Sequence, residues 1–485
     1  MRTRPQRCKV ALAIVATAAL MLGGCKLGPN YRRPETGTPA AYRFDTGAST
    51  ASVADQGWWQ VYQDPRLQDL IHAGLANNFD VRIAAARVDQ ARAAFGATRL
   101  QQLPQASVTA EADRQKTSQY ELLPGAPRIS NVFLLEGSLS YEVDFWGKYR
   151  RATEAARAQL LQSDFAKQDV TAGLVASIAT AYFTLQALDE QLMITQRTVD
   201  TRQKFVELTS AQHDRGTVSE LDVATAQAQL AIAKANLPDL QRQIGQTEDQ
   251  LSVLVGHNPD TVPRMGIEPL QSAAVAAPSP PISVPVPAAG LPSSLLERRP
   301  DLREAEQNLV AANAQVGVAK ANLFPSITLT ATGGNESSAL SNLFGGPARA
   351  WSVGGSVLQP LLDSQRNLYQ VYVADAQKRQ ALLQYQQSVQ NAFREVSDAL
   401  ISRQQYAEEL NQEQASVDAQ RKADTIALAR YRVGYASYFD VISADRDLFT
   451  AELSLSAARL NTLLSVVQLY RALGGGWSLS DQPSP

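Results

Sequence analysis

The sequence predicts a mainly α-helical protein built from two structural repeats, with a smaller transmembrane β part. Three observations lead to this fold class. The chain repeats itself at an offset of about 220 residues, each half contains a long stretch without proline, and each half contains two segments of alternating apolar residues. A chain of 485 residues has room for about three globular domains, so the repeat decides the organisation.

The N-terminus has the pattern of a bacterial lipoprotein signal. Basic residues precede an apolar run from Val10 to Leu22, which is too short to cross a bilayer as a helix. The next residues, Gly23, Gly24 and Cys25, complete a sequence that resembles a lipobox, in which the cysteine is lipidated after cleavage. An ordinary signal peptide followed by an incidental cysteine is the alternative.

We therefore expect residues 1–24 to be removed as a signal peptide and residues 25–64 to form a lipid-anchored segment. Cys25 would carry N-palmitoyl and S-diacylglycerol groups, and several acyl chains anchor a protein stably. Gram-negative lipoproteins retained at the inner membrane commonly have Asp after the cysteine, whereas this chain has Lys26. We therefore predict an outer membrane location in a Gram-negative bacterium.

The repeat rests on two blocks that occur in the same order in both halves. Chance similarity between Ala-rich helices would explain the first block but not easily both. Identical aligned pairs include Asp80/Asp301, Ala84/Ala305, Ala91/Ala312, Ala93/Ala314, Gly96/Gly317 and Pro104/Pro325, followed by Gly216/Gly434, Ser219/Ser437, Asp222/Asp440 and Val223/Val441. We predict a first repeat over 65–270, a Pro-rich linker over 271–292, a second repeat over 293–474 and a tail over 475–485.

Each half predicts a helix, two strands, a long helix and a returning helix. The first helix opens at Asp64 and Pro65, an N-cap followed by proline at N1, and ends before Pro104. Alternating apolar residues predict strands at about 105–115, 131–144, 326–332 and 350–358. The glycine pairs at 333–334 and 345–346 indicate a surface loop between strands.

The long helices are the strongest feature. No proline occurs between Pro127 and Pro238 or between Pro360 and Pro483. A helix over residues 148–213 would be about 100 Å long. Its apolar residues step by four and three, which predicts a coiled-coil seam of Leu174, Ile178, Ala181, Leu185, Leu188, Leu192, Thr195 and Val199. A counterpart begins with Val389, Phe393, Val396 and Leu400, and Pro238 is expected to interrupt and kink the returning helix.

These parts together indicate a conduit. Strands of about ten residues suit the outer membrane, but a closed barrel needs at least about eight of them. An open four-stranded sheet would expose its edges to lipid, so the strands must be pooled between chains. Long helical hairpins would extend this barrel across the periplasm, while the number of chains stays open.

The composition argues against several other classes. The chain has 45 Lys+Arg against 47 Asp+Glu, and this balance argues against a nucleic-acid partner. Two cysteines cannot form a disulfide-rich scaffold, and His72, His213 and His257 are scattered without a zinc motif. No phosphate loop or nucleophile elbow occurs in the sequence. We therefore expect no enzyme activity, no metal and no cofactor other than the covalent lipid.

Four motifs together resemble the outer membrane factor (TolC-like) family, in its lipoprotein branch of OprM and NodT-type efflux proteins. They are Cys-Lys-Leu-Gly-Pro-Asn-Tyr-Arg-Arg-Pro at 25–34, Trp-Trp at 58–59 with Asp-Pro-Arg-Leu at 64–67, Gly-Leu-Pro-Ser-Ser-Leu-Leu-Glu-Arg-Arg-Pro-Asp at 290–301, and Leu-Gly-Gly-Gly-Trp at 473–477. The resemblance covers essentially the whole mature chain.

This resemblance implies a homotrimer with a 12-stranded barrel in the outer membrane, a periplasmic α-helical barrel and an equatorial girdle. It also implies docking with a periplasmic adaptor (membrane fusion) protein and an inner-membrane resistance–nodulation–division pump, for export of drugs or other small molecules. A type I protein-secretion channel and a non-channel coiled-coil lipoprotein scaffold are the alternatives.

The two aligned turns are the first candidate site. Gly216 and Gly434 fall where each long helix must reverse, and glycine supplies the left-handed backbone of a helix end. Ser219 and Asp222 resemble starting residues of the next helix, and Ser437 is the counterpart of Ser219 in the second turn. A capping turn is the simplest interpretation, and the resemblance adds that these turns dock the adaptor and close the resting channel.

The resemblance also assigns a periplasmic gate to the second repeat. Phe439 falls where an apolar ring constricts the pore, and Arg446 falls at a gate arginine. The acidic ring of OprM-like members falls on Ser443 here, so Asp440 and Asp445 are the candidate substitutes. Carboxylates around a threefold axis would attract cations, whereas ordinary solvated ion pairs are the alternative for Asp445 and Arg446.

Overall fold

A computed structural model describes most of the chain. The described residues are 25–44, 52–121, 127–262 and 292–477. Three predicted segments lie outside them in whole or in large part: the signal peptide at 1–24, the linker up to residue 291 and the tail from residue 478.

The described residues form long helices and a small sheet. The helices are α1 (Trp58–Val61), α2 (Pro65–Asn77), α3 (Phe79–Leu100), α4 (Lys148–Asp214), α5 (Glu220–Leu254), α6 (Pro292–Arg298), α7 (Pro300–Ala321), α8 (Ser364–Arg432) and α9 (Tyr438–Ala472). The strands are β1 (Gln105–Lys116), β2 (Ile129–Glu142), β3 (Ser326–Ser337) and β4 (Arg349–Leu358). The predicted mainly α fold with four strands is therefore confirmed.

All four strands belong to one antiparallel sheet in the order β1-β2-β3-β4. Ala106 lies opposite Leu139, and Leu139 lies opposite Ala331. Because side chains alternate along a strand, these residues share one apolar face, while Ser138 and Thr332 lie on the polar face. Among the described residues, no further strand pairs with the outer edge of β1 or with that of β4.

The prediction of a loop at Gly333–Gly334 is wrong, because β3 continues through both glycines to Ser337. Gly334 lies opposite Glu136. A Cβ atom at Gly334 would collide with the carbonyl oxygen of Leu135, so this strand pair requires glycine there. The two glycines were expected to form a loop that ends the strand, whereas they permit a close approach of two strands.

The single first helix predicted from Asp64 to Pro104 is also wrong, because the chain breaks at Asn78 into α2 and α3. The Asn78 side-chain oxygen accepts a hydrogen bond from the Asp80 amide at 2.8 Å and so caps α3. Its side-chain amide donates to the carbonyl of Leu254 at 3.0 Å, at the end of α5. The cap and the tertiary contact together stabilise the break.

The second repeat uses equivalent positions for the same purpose. Arg299 separates α6 from α7, as Asn78 separates α2 from α3. Its guanidinium donates to the carbonyl of Ala472 at 3.0 Å, at the end of α9, and pairs with Asp301 at 2.7 Å. The Leu-Glu-Arg-Arg-Pro-Asp motif therefore ties a helix break to the end of the returning helix.

The interruption predicted at Pro238 does not occur, because α5 is continuous through this residue. Proline removes one backbone donor and crowds the carbonyl four residues earlier, which belongs to Lys234. Both residues are exposed, so water can solvate that carbonyl. The helix therefore tolerates the proline.

Most of the predicted seam on α4 is buried, whereas Leu192 and Val199 are half-buried. Ile178 and Thr195 are inaccessible, and Leu174, Ala181, Leu185 and Leu188 are also buried. An 18-residue window within this helix is apolar enough to cross a membrane by length and composition, but 67% of it is buried inside the protein. The apolar stripe is therefore a packing surface.

The chain divides into two compact units. One consists of the segment ending at Glu35 with Arg87–Asp164 and Glu304–Gln386, and it contains the sheet. The other consists of Thr36–Ala86, Phe165–Arg303 and the segment from Gln387, and it contains both helix-reversing turns. Each unit includes segments of both repeats.

Candidate functional site

The two helix-reversing turns have the same backbone geometry. Gly216 and Gly434 have φ angles of +72° and +80°. The Gly216 amide donates to the carbonyl of His213 at 2.7 Å, and the Thr217 amide donates to that of Gln212 at 3.0 Å. This is the Schellman arrangement, and the second turn repeats it. Only glycine adopts the left-handed backbone without strain, so both glycines have a structural role.

Each turn is followed by a capping box. The Ser437 hydroxyl accepts from the Asp440 amide at 3.3 Å, and the Asp440 carboxylate accepts from the Ser437 amide at 2.9 Å. Ser219 and Asp222 make the same two contacts in the first repeat. The hydrogen bonds from the Ser437 side chain and backbone lower the pKa of Asp440. Asp440, predicted as a gate residue, therefore caps α9 within its own chain.

Apolar side chains project from both turns into solvent. Phe439 is 73% exposed, and its counterpart in the first repeat, Leu221, is 74% exposed. Val433 and Tyr435 add further exposed apolar area to the second turn. Large apolar side chains that are grouped and exposed are typical of a binding or assembly surface.

The second predicted acid, Asp445, forms a specific ion pair. Its carboxylate accepts from Arg202 of α4 at 2.8 Å. The Arg202 side chain is only 6% exposed, and it also donates to the carbonyl of Gln229 on α5 at 3.0 Å. The guanidinium lies 5.4 Å from the ring centre of Phe449 on α9. Asp445 is therefore part of an inter-helix contact and not of an ordinary solvated pair along one helix.

The remaining predicted gate residues are less constrained. Arg446 pairs with the adjacent Asp447 at 2.9 Å, and both side chains are largely exposed. This agrees with the solvated-pair alternative for Arg446. Ser443 is half-buried. The structure therefore separates the four candidates into an exposed aromatic ring, a helix cap, an inter-helix ion pair and a surface ion pair.

A second inter-helix contact was missed by the sequence analysis. Glu452 of α9 pairs with Arg197 of α4 and with Arg421 of α8, the latter at 3.2 Å. The Glu452 side chain is 10% exposed. Burial raises the pKa of Asp424 nearby, and the charges of Asp445 and Glu452 raise it further. The available signal was weak, since Glu452 is only a charged residue within an otherwise apolar helix face.

The residues that follow Cys25 are held by the start of α4. The Leu27 amide donates to the carbonyl of Trp146 at 3.1 Å. Arg151, whose side chain is 1% exposed, donates to the carbonyls of Leu27 at 2.9 Å and Gly28 at 3.0 Å. The side chain of Cys25 itself is exposed. Within the described residues, no group of His, Cys, Asp or Glu side chains could hold a metal ion.

Comparisons with known proteins agree with this architecture. A sequence model described as outer membrane efflux protein matches residues 70–257 and 291–475. The toluene efflux pump outer membrane protein TtgC of Pseudomonas putida is 35% identical over 475 residues, covering 96% of this chain and 96% of that protein. The probable outer membrane lipoprotein SilC of Salmonella typhimurium is 29% identical over 480 residues, covering 97% of this chain and 99% of that protein.

The fold is also similar to that of solved outer membrane channels. The structure of the outer-membrane channel OprN matches with a TM-score of 0.83 and 31% sequence identity. The match covers 93% of this chain and 100% of that chain.

Proposed function

The chain belongs to the outer membrane efflux protein family, and from this membership we propose how its copies assemble and what they transport. It is the outer membrane channel component of an efflux system, and it exports drugs or other small molecules. The name of the relative TtgC, a toluene efflux protein, supports a small-molecule substrate over an exported protein.

The observation that carries the assembly is the sheet, in which β1 and β4 each have one edge without a partner strand among the residues that the structure describes. Four strands cannot close a barrel, and lipid offers no partner for the backbone groups of an open edge. Three copies supply twelve strands, which close into one barrel. Each copy then contributes its long helices to a periplasmic tube.

The two turns are the contact surface for a periplasmic adaptor, which connects the channel to an inner-membrane pump of the resistance–nodulation–division type. The exposed side chains of Leu221, Val433, Tyr435 and Phe439 support this role. Matching capping boxes at Ser219 and Ser437 hold the two turns in one geometry, so an adaptor meets two similar surfaces on every copy.

Three Phe439 rings form the apolar constriction of the resting channel. The Arg202–Asp445 ion pair holds α9 against α4, and this contact opposes movement of the segment that carries Phe439. An acidic ring is not favoured, because Asp440 caps a helix and Asp445 has a buried cationic partner.

Cys25 carries the lipid anchor, with a diacylglycerol on sulfur and palmitate on nitrogen. The lipoprotein name of SilC and the exposed thiol support this modification. Labelled palmitate should enter the wild type and not a Cys25→Ser variant. Equal labelling of both would refute the anchor.

Ethidium accumulation tests the transport function. A strain that lacks this gene but keeps its adaptor and pump should accumulate more ethidium than the parent, and a plasmid copy should restore export. Conductance of the purified protein in planar bilayers then separates a channel from a coiled-coil scaffold. Unchanged accumulation together with absent conductance would overturn the proposal.

A further inference from the structure

The internal repeat relates each unpaired edge of the sheet to an inner strand. β1 and β3 follow the equivalent prolines Pro104 and Pro325 and begin at Gln105 and Ser326, so β1 corresponds to β3 at an offset of 221 residues. β2 and β4 share a Gly-Ser pair at 137–138 and 355–356, an offset of 218 residues. The edge strand β1 is therefore the repeat equivalent of β3, and the edge strand β4 is the repeat equivalent of β2.

The pairing within each hairpin supports the second offset independently. Gln105 lies opposite Ser140, and its equivalent Ser326 lies opposite Leu358. Ser140 and Leu358 are again 218 residues apart. The same offset relates the turn glycines Gly216 and Gly434, so it holds from the second strand of each half to the end of the long helix.

The pairing of β2 with β3 is therefore a template for a junction between two chains. In that pairing Ser138 lies opposite Thr332, and Ser140 lies opposite Thr330. In the first copy of the chain, the edge strand β4 is the equivalent of β2. In a second copy, the edge strand β1 is the equivalent of β3. Equivalent edges can form equivalent ladders, because antiparallel pairing depends on backbone groups and on matching faces.

We propose that β4 of one copy pairs antiparallel with β1 of a second copy, in the register set by the β2–β3 pairing. This rests on the proposed assembly and adds its residue-level geometry. On the polar face the facing pairs are Ser352 with Gln115, Gly354 with Asp113, Ser356 with Glu111 and Leu358 with Thr109. On the apolar face they are Trp351 with Lys116, Val353 with Arg114, Gly355 with Ala112 and Val357 with Ala110.

The proposed register keeps both faces of the sheet continuous. Val357 meets Ala110 on the apolar face, and Ser356 meets Glu111 on the polar face. A slip of one residue would place apolar side chains on the polar face, so one face that contacts lipid excludes it. Trp351 also meets Lys116, where the ammonium group can lie over the indole ring. The competing registers are therefore slips of two residues, which preserve the faces.

Cysteine cross-linking distinguishes these registers. The chain has two cysteines, of which Cys8 is in the predicted signal peptide and Cys25 is predicted to be acylated, so introduced thiols have little background. Outer membranes containing Ser356→Cys with Glu111→Cys should give cross-linked oligomers on non-reducing gels after oxidation with copper phenanthroline. Directly opposed residues have Cβ atoms about 4.5–5.5 Å apart, close to the spacing in a disulfide.

Matched controls shift only one cysteine by one step on the same face. Ser356→Cys combined with Thr109→Cys or with Asp113→Cys should give roughly tenfold less product, because such diagonal neighbours are about 7–8 Å apart. The variant with Ser107→Cys and Ser138→Cys should form a disulfide within one chain, since the two hydroxyl oxygens lie 2.7 Å apart. That control reports a folded sheet and access of the oxidant.

The outcomes separate the register from the assembly. Preferential cross-linking of a shifted pair would overturn the proposed register, but it would not contradict a barrel whose strands come from several chains. Absence of every inter-chain product, while the Ser107–Ser138 control forms its disulfide, would overturn both the register and the proposed assembly. Cross-linking that prefers Ser356 with Glu111 supports the proposal.

Discussion

Replacing Arg202 with methionine should loosen α9 from α4 and increase channel opening. The substitution keeps most of the aliphatic volume but leaves Asp445 without its partner at 2.8 Å and the Gln229 carbonyl without a donor. Removing one partner of a buried ion pair costs about 3–5 kcal/mol. The Asp445 side chain is 24% exposed, so water compensates in part, and we expect a loss of about 2 kcal/mol.

A loss of about 2 kcal/mol changes the equilibrium ratio between two states, here the open and the closed channel, by about 30-fold. If the contact is present only in the closed channel, the ratio of open to closed times in planar bilayers should rise by that order. Arg446→Met is the matched control, because it removes the same charge from an exposed pair that contributes little. Equal behaviour of the Arg202→Met and Arg446→Met variants would refute the assignment. Strict additivity of Arg202→Met and Asp445→Asn in the double variant would also refute it.

Three further outcomes are expected. Gly434→Ala should destabilise the protein by about 1 kcal/mol in thermal unfolding, because alanine is strained at a φ of +80°. Gly245→Ala is the control, because this residue lies inside α5 and both glycines have open space for a Cβ atom. It should stabilise the protein by up to about 1 kcal/mol. Phe439→Ala should raise single-channel conductance in planar bilayers and Leu221→Ala should not, if the constriction belongs to the second repeat. Burial raises the pKa of Asp424, so ionisation of this group opposes folding as pH rises through its folded-state pKa. Asp424→Asn should therefore raise the unfolding temperature at pH 7 and have little effect below about pH 4, where the wild-type carboxyl is protonated.

Patterns that repeat over many residues predicted the architecture well. The seam through Ile178 and Thr195 follows a 3.5-residue period, and burial at a helix interface imposes that period directly. The errors occurred where a single residue decided the local structure. Asn78 breaks a helix because its side chain also reaches the Leu254 carbonyl, and that partner is 176 positions away in the chain.

The candidate gate shows the same division. The family resemblance placed Phe439, Asp440, Asp445 and Arg446 together in one gate segment at the start of a helix. The structure gives them different surroundings: Phe439 is exposed, Asp440 caps its helix, Asp445 pairs with Arg202 and Arg446 pairs with Asp447. The local sequence signal was absent for Arg202 and weak for Glu452, since their partners lie on other helices.

By itself the sequence determined the two repeats, the lipid-anchor motif and the need for strands to be shared between chains. These follow from periodicity and from a count of strands, which do not depend on how distant segments pack. Only the tertiary structure decided which acid is a cap and which is an ion-pair partner, and which residues face each other across β2 and β3. Those properties depend on contacts between segments far apart in the chain, and the pairing of β2 with β3 is the one that makes a register between chains predictable.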